Sequence, residues 1–330
     1  MRALIQTGVG DVGVLKLTDT PAPTARGGQL LVRTTAIGLN FHDVEDRRRI
    51  ATGLTFPVVP GTDVVGVVED VGPGAEGFAV GDRVVALVRS GGFAEYAVIR
   101  AQMAARLPDG LDDATAASIP TAGLTAWFLA RDHVPDGTGP VVAHAAAGGV
   151  GHWLGALLPP RAPHTIGIVS SPRKAELARQ AGYRHVIDRS AIDRSAGNDL
   201  VRAVRRATGG YGASVVLDPV AGPRFADSFR MLHPGGHVVL YGRAAGNPEL
   251  TGLPTAFLDA RRNLGLHTWY LGRAVTLHAR SVGPALAELA GVLADGRVRM
   301  PVTELPLSEV RHGHTLLESG ATVGKVVFRP

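Results

Sequence analysis

The sequence predicts an α/β protein in which a doubly wound parallel sheet follows a β-rich region. Up to about residue 122, short apolar runs are separated by glycine and proline turns, as in antiparallel strands. Between residues 140 and 270, apolar strand-like runs alternate with helical segments, which is typical of a parallel sheet covered by helices. With 330 residues, of which 45% are hydrophobic, the chain is long enough for two domains with separate cores.

The β-rich region begins at the N-terminus, where Met1–Ile5 starts as a strand. Further strands are predicted at Leu30–Ala36, Val64–Val71 and Arg83–Val88, with turns at Pro73–Gly74 and Gly81–Asp82.

The α/β region contains six predicted strands and the helices between them. The strands are Val141–His144, His164–Val169, His185–Asp188, Ala213–Asp218, Gly236–Tyr241 and Leu264–Trp269. The helices start near Val150, Pro172, Asn198 and Pro223, and Pro159–Pro160 must end the first of them early. After residue 270 the pattern predicts helices at about Val282–Asp295 and Ser308–Ser319 and a strand at Lys325–Phe328.

Composition narrows the range of partners and chemistries. The net charge is +5, but only Lys16, Lys174 and Lys325 are lysines and the 31 arginines are scattered. Aromatic residues make up 5% of the chain, so we do not expect nucleic acid as a partner. The absence of cysteine excludes disulfides, thiolate chemistry and cysteine-bound zinc. No membrane span and no signal-peptide core are predicted, and a cytoplasmic protein is therefore expected.

A small-residue turn follows the first strand of the α/β region. Gly148 and Gly151 occupy the last two glycine positions of a dinucleotide-binding fingerprint, and Ala146 replaces the first. Small residues there allow the backbone to approach a pyrophosphate at the N-terminus of a helix. We therefore expect Ala146, Gly148, Gly149, Val150 and Gly151 to bind the cofactor.

The residues after the second strand of the α/β region indicate which nucleotide binds. No acidic residue occurs between His152 and Ala175, where an NAD site places a carboxylate on the ribose 2′-hydroxyl. Ser170, Arg173 and Lys174 stand there instead, and Arg189 follows the next strand. Cations and hydroxyls suit a 2′-phosphate, which favours NADPH. Alternatively, Arg173 and Lys174 form the solvated first turn of a helix.

With these residues in view, the chain resembles the zinc-independent medium-chain dehydrogenase/reductases, in the branch of quinone oxidoreductases and polyketide enoyl reductases. The resemblance implies a GroES-like catalytic domain (residues 1–122 and 271–330), an inserted Rossmann domain (residues 123–270) and a cofactor in the cleft. It is carried by Gly38–Asp43, Pro60–Gly66, Gly77–Val84, Gly92–Tyr96, Ala122–Ala126, His144–Gly151 and Gly324–Val327.

The resemblance also implies chemistry without a metal. Zinc-dependent relatives carry Gly-His-Glu where this chain has Gly61–Thr62–Asp63, and we expect His312 and His314 to be solvated on a surface helix. Without a metal Lewis acid, the substrate must accept hydride by itself, as a quinone, an enone or an enoyl thioester does.

Family position puts Asn40 and Thr125 at the nicotinamide and the reacting carbonyl. Asn40 can donate a hydrogen bond to developing negative charge; its alternative role is to fix a loop. His42 is a candidate proton donor, and Asp43 is expected to orient the loop. Tyr241, Gly242 and Lys325 are further expected cofactor contacts.

The region around the substrate departs from the family pattern. Glu45 stands close to the position of an aromatic stacking residue in quinone oxidoreductases, and residues 47–53 lack the tyrosine of polyketide enoyl reductases. Arg47, Arg48 and Arg49 have two interpretations: a solvated turn neutralised by Asp43, Glu45 and Asp46, or a cluster that receives an acidic substrate.

Three functions follow from the sequence. The first is an NADPH-dependent, metal-independent reductase of a quinone or an activated C=C bond, compatible with natural-product biosynthesis. The second is a redox-neutral enzyme on the same scaffold, such as a polyketide cyclase. The third is a non-enzymatic protein that binds NADPH or RNA. The exposed edge expected at Leu264–Trp269 predicts a homodimer.

Overall fold

The computed structural model describes residues 1–48, 55–192, 199–249 and 259–330. The chain divides into two compact units. The β unit comprises Met1–Leu124 and Leu277–Pro330, and the α/β unit comprises Thr125–Thr276. The β unit is thus built from two separate stretches of the chain.

Most strands have three to six residues, whereas the third has eleven and the fourth and twelfth have nine each. In chain order they are β1 (Arg2–Gln6), β2 (Leu15–Asp19), β3 (Gln29–Leu39), β4 (Asp63–Val71), β5 (Arg83–Leu87), β6 (Tyr96–Arg100), β7 (Ala104–Arg106), β8 (Val141–His144), β9 (Thr165–Val169), β10 (His185–Asp188), β11 (Ala213–Asp218), β12 (Leu232–Leu240), β13 (Gly265–Thr268), β14 (Val302–Pro306) and β15 (Lys325–Arg329).

The α-helices are mostly two to three turns long. They are α1 (Phe41–Arg48), α2 (Asp113–Ala116), α3 (Leu124–His133), α4 (Gly149–Leu157), α5 (Pro172–Gln180), α6 (Asp199–Ala207), α7 (Phe225–Arg230), α8 (Leu271–Leu277), α9 (Ala279–Ala294) and α10 (Val310–Glu318). A π-helical turn, Ile119–Gly123, precedes α3. None of the helices in the described ranges is long and apolar enough to cross a membrane.

The main sheet of the β unit brings the two stretches of chain together. Its strand order is β14-β15-β3-β4-β5-β7, with β6 also paired to β3. Strands β15 and β4 flank the end of β3, where Gly38 is in register with Val327 on one side and Asp63 on the other. A Cβ at Gly38 would lie only 2.6 Å from Lys325 Cε and 2.8 Å from Asp63 Oδ2. Glycine at this position therefore leaves room for two polar side chains to meet.

The α/β unit contains a six-stranded parallel sheet in the order β10-β9-β8-β11-β12-β13. The predicted doubly wound sheet is confirmed, although β12 begins at Leu232 rather than Gly236. The strand order reverses between β8 and β11, and ligands of such folds bind at the carboxyl ends of the strands beside this point. Apolar residues of β8, β9, β11 and β12 pack with α6 and α7 to form the core on one face.

Several elements differ from the sequence prediction. The segment after Asn40, which we expected to be a loop, begins α1. Strands β2, β6, β7 and β14 were not predicted, because they are short and mostly only half-apolar. Helix α4 ends at Leu157, as the prolines at 159 and 160 require. The expected helix start at Asn198 lies outside the described residues, and α6 begins at Asp199.

Candidate functional site

A buried ion pair forms the centre of a polar cluster in the β unit. Lys325 Nζ lies 2.6 Å from Asp63 Oδ2 and donates to Asn40 Oδ1 at 2.5 Å. Asn40 Nδ2 donates to the same Asp63 oxygen at 2.9 Å. Asp63 is fully buried and Lys325 is 3% exposed, so both charges depend on these contacts for compensation. Two of the predicted residues, Asn40 and Lys325, are thus brought together by Asp63.

The second oxygen of Asp63 binds two threonines. Thr121, in the π-helical turn, donates to Asp63 Oδ1 from its backbone N at 3.0 Å and from Oγ1 at 2.5 Å. Thr62 Oγ1 lies 3.0 Å from Thr121 Oγ1 and 3.3 Å from Asp63 Oδ1. Asp63, Thr62 and Thr121 were not among the site residues predicted from the sequence. Two features of the sequence could have indicated them: the Gly61–Asp63 segment, and the position of Thr121 next to the Ala122–Ala126 motif.

Helix α1 carries His42 and Asp43 at its first turn. His42 Nε2 is 3.3 Å from Thr62 Oγ1 and 3.3 Å from Asp43 Oδ1, and the ring is 30% exposed. Asp43 Oδ2 accepts the backbone N–H of Asn40 at 2.8 Å. Burial raises the pKa of Asp43, an effect that His42 and the Asn40 hydrogen bond oppose. Asp43 therefore links the start of α1 to Asn40.

Both interpretations of the arginine cluster are wrong for Arg47. Its side chain is 2% exposed and pairs with Glu318 of α10, while Nη1 donates to Gly10 O at 3.1 Å. Arg48 Nε also contacts Glu318, at 2.8 Å. A buried guanidinium that holds two helices together is neither solvated nor accessible to an acidic substrate. Arg49 lies outside the described residues.

His314 also differs from the prediction. We expected it to be solvated with His312, but His314 is buried and its ring packs edge-on to Phe93, with centroids 6.3 Å apart. Neither ring nitrogen has a hydrogen-bond partner among the described atoms. Burial, with a smaller effect from Arg47, lowers the pKa of His314 to about 3. His312 is exposed, as expected.

The glycine turn of the α/β unit has the close packing that its sequence predicts. A Cβ at Gly151 would lie 2.5 Å from the carbonyl oxygens of both Ala145 and Ala146. Gly148 precedes α4, which begins at Gly149 and Val150, and Ala145 has a positive φ of 54°. The backbone therefore turns tightly from β8 into the N-terminus of α4, where orphan N–H groups can face a phosphate.

A cationic group lies at the carboxyl end of β9. Lys174 Nζ is 3.4 Å from Ser170 Oγ, and Ser171 caps α5 by accepting the Lys174 backbone N–H at 3.3 Å. Burial and the nearby Arg189 guanidinium lower the pKa of Lys174. Ser170, Lys174 and Arg189 thus form a common positive environment, while Arg173 lies exposed on the first turn of α5.

A second cluster of polar side chains in the α/β unit lies at the carboxyl ends of β11 and β12. Asp218 Oδ2 accepts the Ser228 hydroxyl at 2.7 Å, and Ser228 Oγ lies 3.4 Å from His144 Nε2. The Tyr241 hydroxyl is buried and has no hydrogen-bond partner among the described atoms. Burial, together with Tyr183 and Asp218, raises the pKa of Tyr241 well above its ordinary value. Asp218, Ser228 and His144 were not selected from the sequence.

The remaining predicted residues lie in the α/β unit. Gly242 follows Tyr241, and a Cβ there would be 2.8 Å from Pro219 O. Thr125 is a buried residue in the first turn of α3. Throughout the ranges that the structure covers, no group of three or more histidine or carboxylate side chains could hold a metal ion.

A GroES-like β unit combined with a doubly wound nucleotide-binding sheet defines the dehydrogenase/reductase class of proteins. The family description "Alcohol dehydrogenase GroES-like domain" matches residues 26–109, and "Zinc-binding dehydrogenase" matches residues 181–328. The Escherichia coli quinone oxidoreductase, crystallised with NADPH, superposes with a TM-score of 0.89 at 29% identity, over 100% of both chains.

Three curated relatives agree with this class. A Pseudomonas aeruginosa quinone oxidoreductase is 33% identical, over 97% of both chains. A 2-haloacrylate reductase from a Burkholderia species is 32% identical, over 92% of this chain and 91% of the relative. A Mycobacterium tuberculosis mycocerosic acid synthase-like polyketide synthase is 30% identical over 99% of this chain, which spans only 15% of that protein. The chain belongs to the medium-chain dehydrogenase/reductase superfamily, in the predicted quinone oxidoreductase and enoyl reductase branch.

Proposed function

We propose that this protein is an NADPH-dependent, metal-independent reductase that transfers hydride to a quinone or to an activated C=C bond. The observation that carries the proposal is the grouping of Ser170, Lys174 and Arg189 beyond a glycine turn that tolerates no Cβ at Gly151. Two cations held close together are stabilised by a bound dianion, and a 2′-phosphate is such a group.

The residues of the α/β unit fit this cofactor. The turn Ala146–Gly151 would hold the pyrophosphate, and Ser170, Arg173, Lys174 and Arg189 would hold the 2′-phosphate. Thr125, Tyr241 and Gly242 would contact the nicotinamide half, where the buried Tyr241 hydroxyl still lacks a partner among the described atoms. When bound, NADPH supplies the hydride, and the known complex of the E. coli relative with NADPH supports this assignment. Residues 123–270 would act as the cofactor domain.

The polar cluster of the β unit would stabilise the oxygen of the substrate. Asn40 Nδ2 donates to Asp63 Oδ2 at 2.9 Å and makes only a long contact of 3.5 Å with Gly38 O, so its second N–H would turn to a carbonyl oxygen that gains negative charge. Lys325 adds positive charge behind Asn40, and its expected contact with the cofactor remains part of the proposal. His42, partly exposed beside this cluster, would supply the proton. Residues 1–122 and 271–330 would thus form the catalytic and substrate domain.

The substrate class within this proposal is an acceptor that needs no metal. A quinone and a conjugated C=C bond next to a carbonyl both accept hydride without a Lewis acid. The quinone oxidoreductase relative supports the first class and the 2-haloacrylate reductase supports the second. The polyketide synthase relative keeps an enoyl thioester, and a place in natural-product biosynthesis, among the candidates.

The decisive experiment is to follow NADPH oxidation with a matched panel of quinones, enones and enoyl thioesters, with and without a chelator. The proposal is supported if at least one class of acceptor oxidises NADPH and the chelator does not change the rate. Elemental analysis should then find less than one equivalent of zinc per chain. Tight NADPH binding without oxidation of NADPH by any acceptor would favour a redox-neutral enzyme. Absence of nucleotide binding would contradict both the reductase and the redox-neutral enzyme.

A further inference from the structure

A continuous line of hydrogen-bonding atoms joins the buried ion pair to the partly exposed His42. It runs from Asp63 Oδ1 to Thr121 Oγ1 at 2.5 Å, then to Thr62 Oγ1 at 3.0 Å and to His42 Nε2 at 3.3 Å. All four residues belong to the β unit. The mechanism proposed above uses His42 and Asn40 but assigns nothing to Thr62 or Thr121.

The chemistry of the groups determines which atom donates and which accepts in each of these hydrogen bonds. Asp63, held against Lys325, is ionised and can only accept hydrogen bonds. The Thr121 hydroxyl donates to Asp63, so its oxygen is left to accept from Thr62. The Thr62 hydroxyl hydrogen points to Thr121 or Asp63, and its oxygen can only accept from His42. His42 must therefore carry its hydrogen on Nε2.

The other charged neighbours of His42 favour the same tautomer. Asp43 Oδ1, from α1, is also 3.3 Å from Nε2 and is also an acceptor. Asp63 of β4 and Lys325 of β15 lie at the other end of the series of hydrogen bonds, and their opposite charges compensate each other. Because both contacts of Nε2 with described residues, Thr62 Oγ1 and Asp43 Oδ1, are acceptors, Nδ1 is the nitrogen left to exchange a proton with a ligand.

We infer that Thr62 and Thr121 are positioning residues that hold His42 as the Nε2–H tautomer, with Nδ1 as its proton-transfer atom. The inference rests on the proposed function for its use in catalysis. Hydride addition leaves an electron pair on the substrate oxygen. The Nδ1–H bond of the His42 imidazolium then breaks as the O–H bond forms, and the neutral ring regains a proton from water. A fixed tautomer ensures that the same nitrogen acts in each turnover.

The test reads the tautomer directly and does not require activity. In protein labelled with ¹⁵N-histidine, the two ring-nitrogen shifts of each of the 12 histidines report its tautomer. The His42→Gln variant assigns the His42 signals by their loss. We expect wild-type His42 to be predominantly Nε2–H at a pH where it is neutral. Thr62→Val should shift the signals toward a mixture of tautomers, and Thr62→Ser should keep the wild-type spectrum.

Two further variants complete the experiment. Thr121→Val should shift the His42 signals in the same direction as Thr62→Val but by less, because Thr62 loses its acceptor at 3.0 Å and keeps only the longer contact with Asp63 Oδ1 at 3.3 Å. Thr18→Val, on the exposed face of β2, is the matched control and should leave the His42 signals in place. An unchanged tautomer in Thr62→Val, with a folded protein by circular dichroism, overturns the inference. Failure of the proposed function appears separately, as absence of NADPH oxidation by wild-type protein whose His42 tautomer is fixed.

Discussion

Lys325 and Asp63, separated by 262 positions in the chain, form a buried ion pair with 2.6 Å between Nζ and Oδ2. The register of β15 and β4 on either side of β3 brings them to the same place, and Gly38 leaves the space between them. Burial makes each charge depend on the other, so the pair acts as a fixed electrostatic anchor for Asn40 and Thr121.

Removing one member of this pair should strongly destabilise the protein. Lys325→Met leaves the Asp63 carboxylate buried without its counter-charge, and we expect a loss of about 3–5 kcal/mol in the free energy of unfolding. Chemical denaturation of the full chain measures this loss of stability. The exposed pair Arg33–Glu69 is the control, because Arg33→Met should cost at most about 1 kcal/mol. Similar losses for the two variants would contradict this account of Lys325.

Lys174 should discriminate between the two nicotinamide cofactors. A charge-assisted hydrogen bond to a phosphate contributes about 1.5–3 kcal/mol, so Lys174→Met should weaken NADPH about tenfold or more and hardly change NADH. Fluorescence titration of both cofactors measures the effect. Arg179→Met, an exposed cation on the same helix, should change neither affinity. Equal weakening of NADPH and NADH would show that Lys174 holds structure rather than the phosphate.

Gly151→Ala should damage the nucleotide turn. The added methyl would lie 2.5 Å from two backbone oxygens, which cannot move without shifting the start of α4. We expect a loss of about 1–3 kcal/mol in stability together with weaker binding of NADPH. Gly291→Ala, within α9 and with open space around its Cβ, should be neutral or stabilising. Wild-type nucleotide affinity in Gly151→Ala would be incompatible with the packing at this turn.

His314 should make the β unit sensitive to acid. Its pKa is about 3 in the folded protein and near 6.5 in the unfolded chain, so the unfolded state binds more protons between these values. Its contribution to stability is complete above the unfolded pKa and is lost as the pH falls through this window. His314→Phe should therefore flatten the fall in the urea midpoint between about pH 6.5 and about pH 4. His312→Phe, at an exposed site, should leave the fall unchanged.

The edge of the parallel sheet should mediate self-association. In the part of the chain that the structure describes, β13 is the last strand of its sheet, and Leu266 on it is 40% exposed. Such an edge can pair with that of a second copy across a twofold axis. We expect a dimer in small-angle scattering at micromolar concentration, and a monomer for Leu266→Lys. Val80→Lys, at an exposed apolar residue of the β unit, should remain dimeric, and a monomeric wild type would exclude this association.

The α/β unit could be predicted from the sequence almost strand by strand. Strands β8, β9, β11 and the end of β12 are runs of mostly buried valine, isoleucine and leucine, and local pattern is sufficient for such segments. The turn at Gly148–Gly151 followed from the same kind of local information. Helix α1 did not, because its charged sequence has no apolar stripe of helical period.

The polar cluster could be predicted only in part, because it depends on contacts between distant segments. Asn40 and Lys325 were expected to bind the cofactor, but the Asp63 carboxylate between them is visible only once β3, β4 and β15 are in register. The burial of Arg47 and His314 depends in the same way on α1 meeting α10. Charge and spacing along the chain do not reveal which charged residue will be covered by another element.

The division of the β unit into two stretches has a consequence for folding kinetics. Pairing of β15 with β3 must close a loop that contains the whole of Thr125–Thr276, and an unfolded loop of that length is entropically costly to close. The inserted unit has its own sheet with mostly sequential neighbours, so it can collapse independently and shorten that loop. We therefore expect the contacts between Asn40, Asp63 and Lys325 to form late in folding, after the inserted unit Thr125–Thr276 has folded.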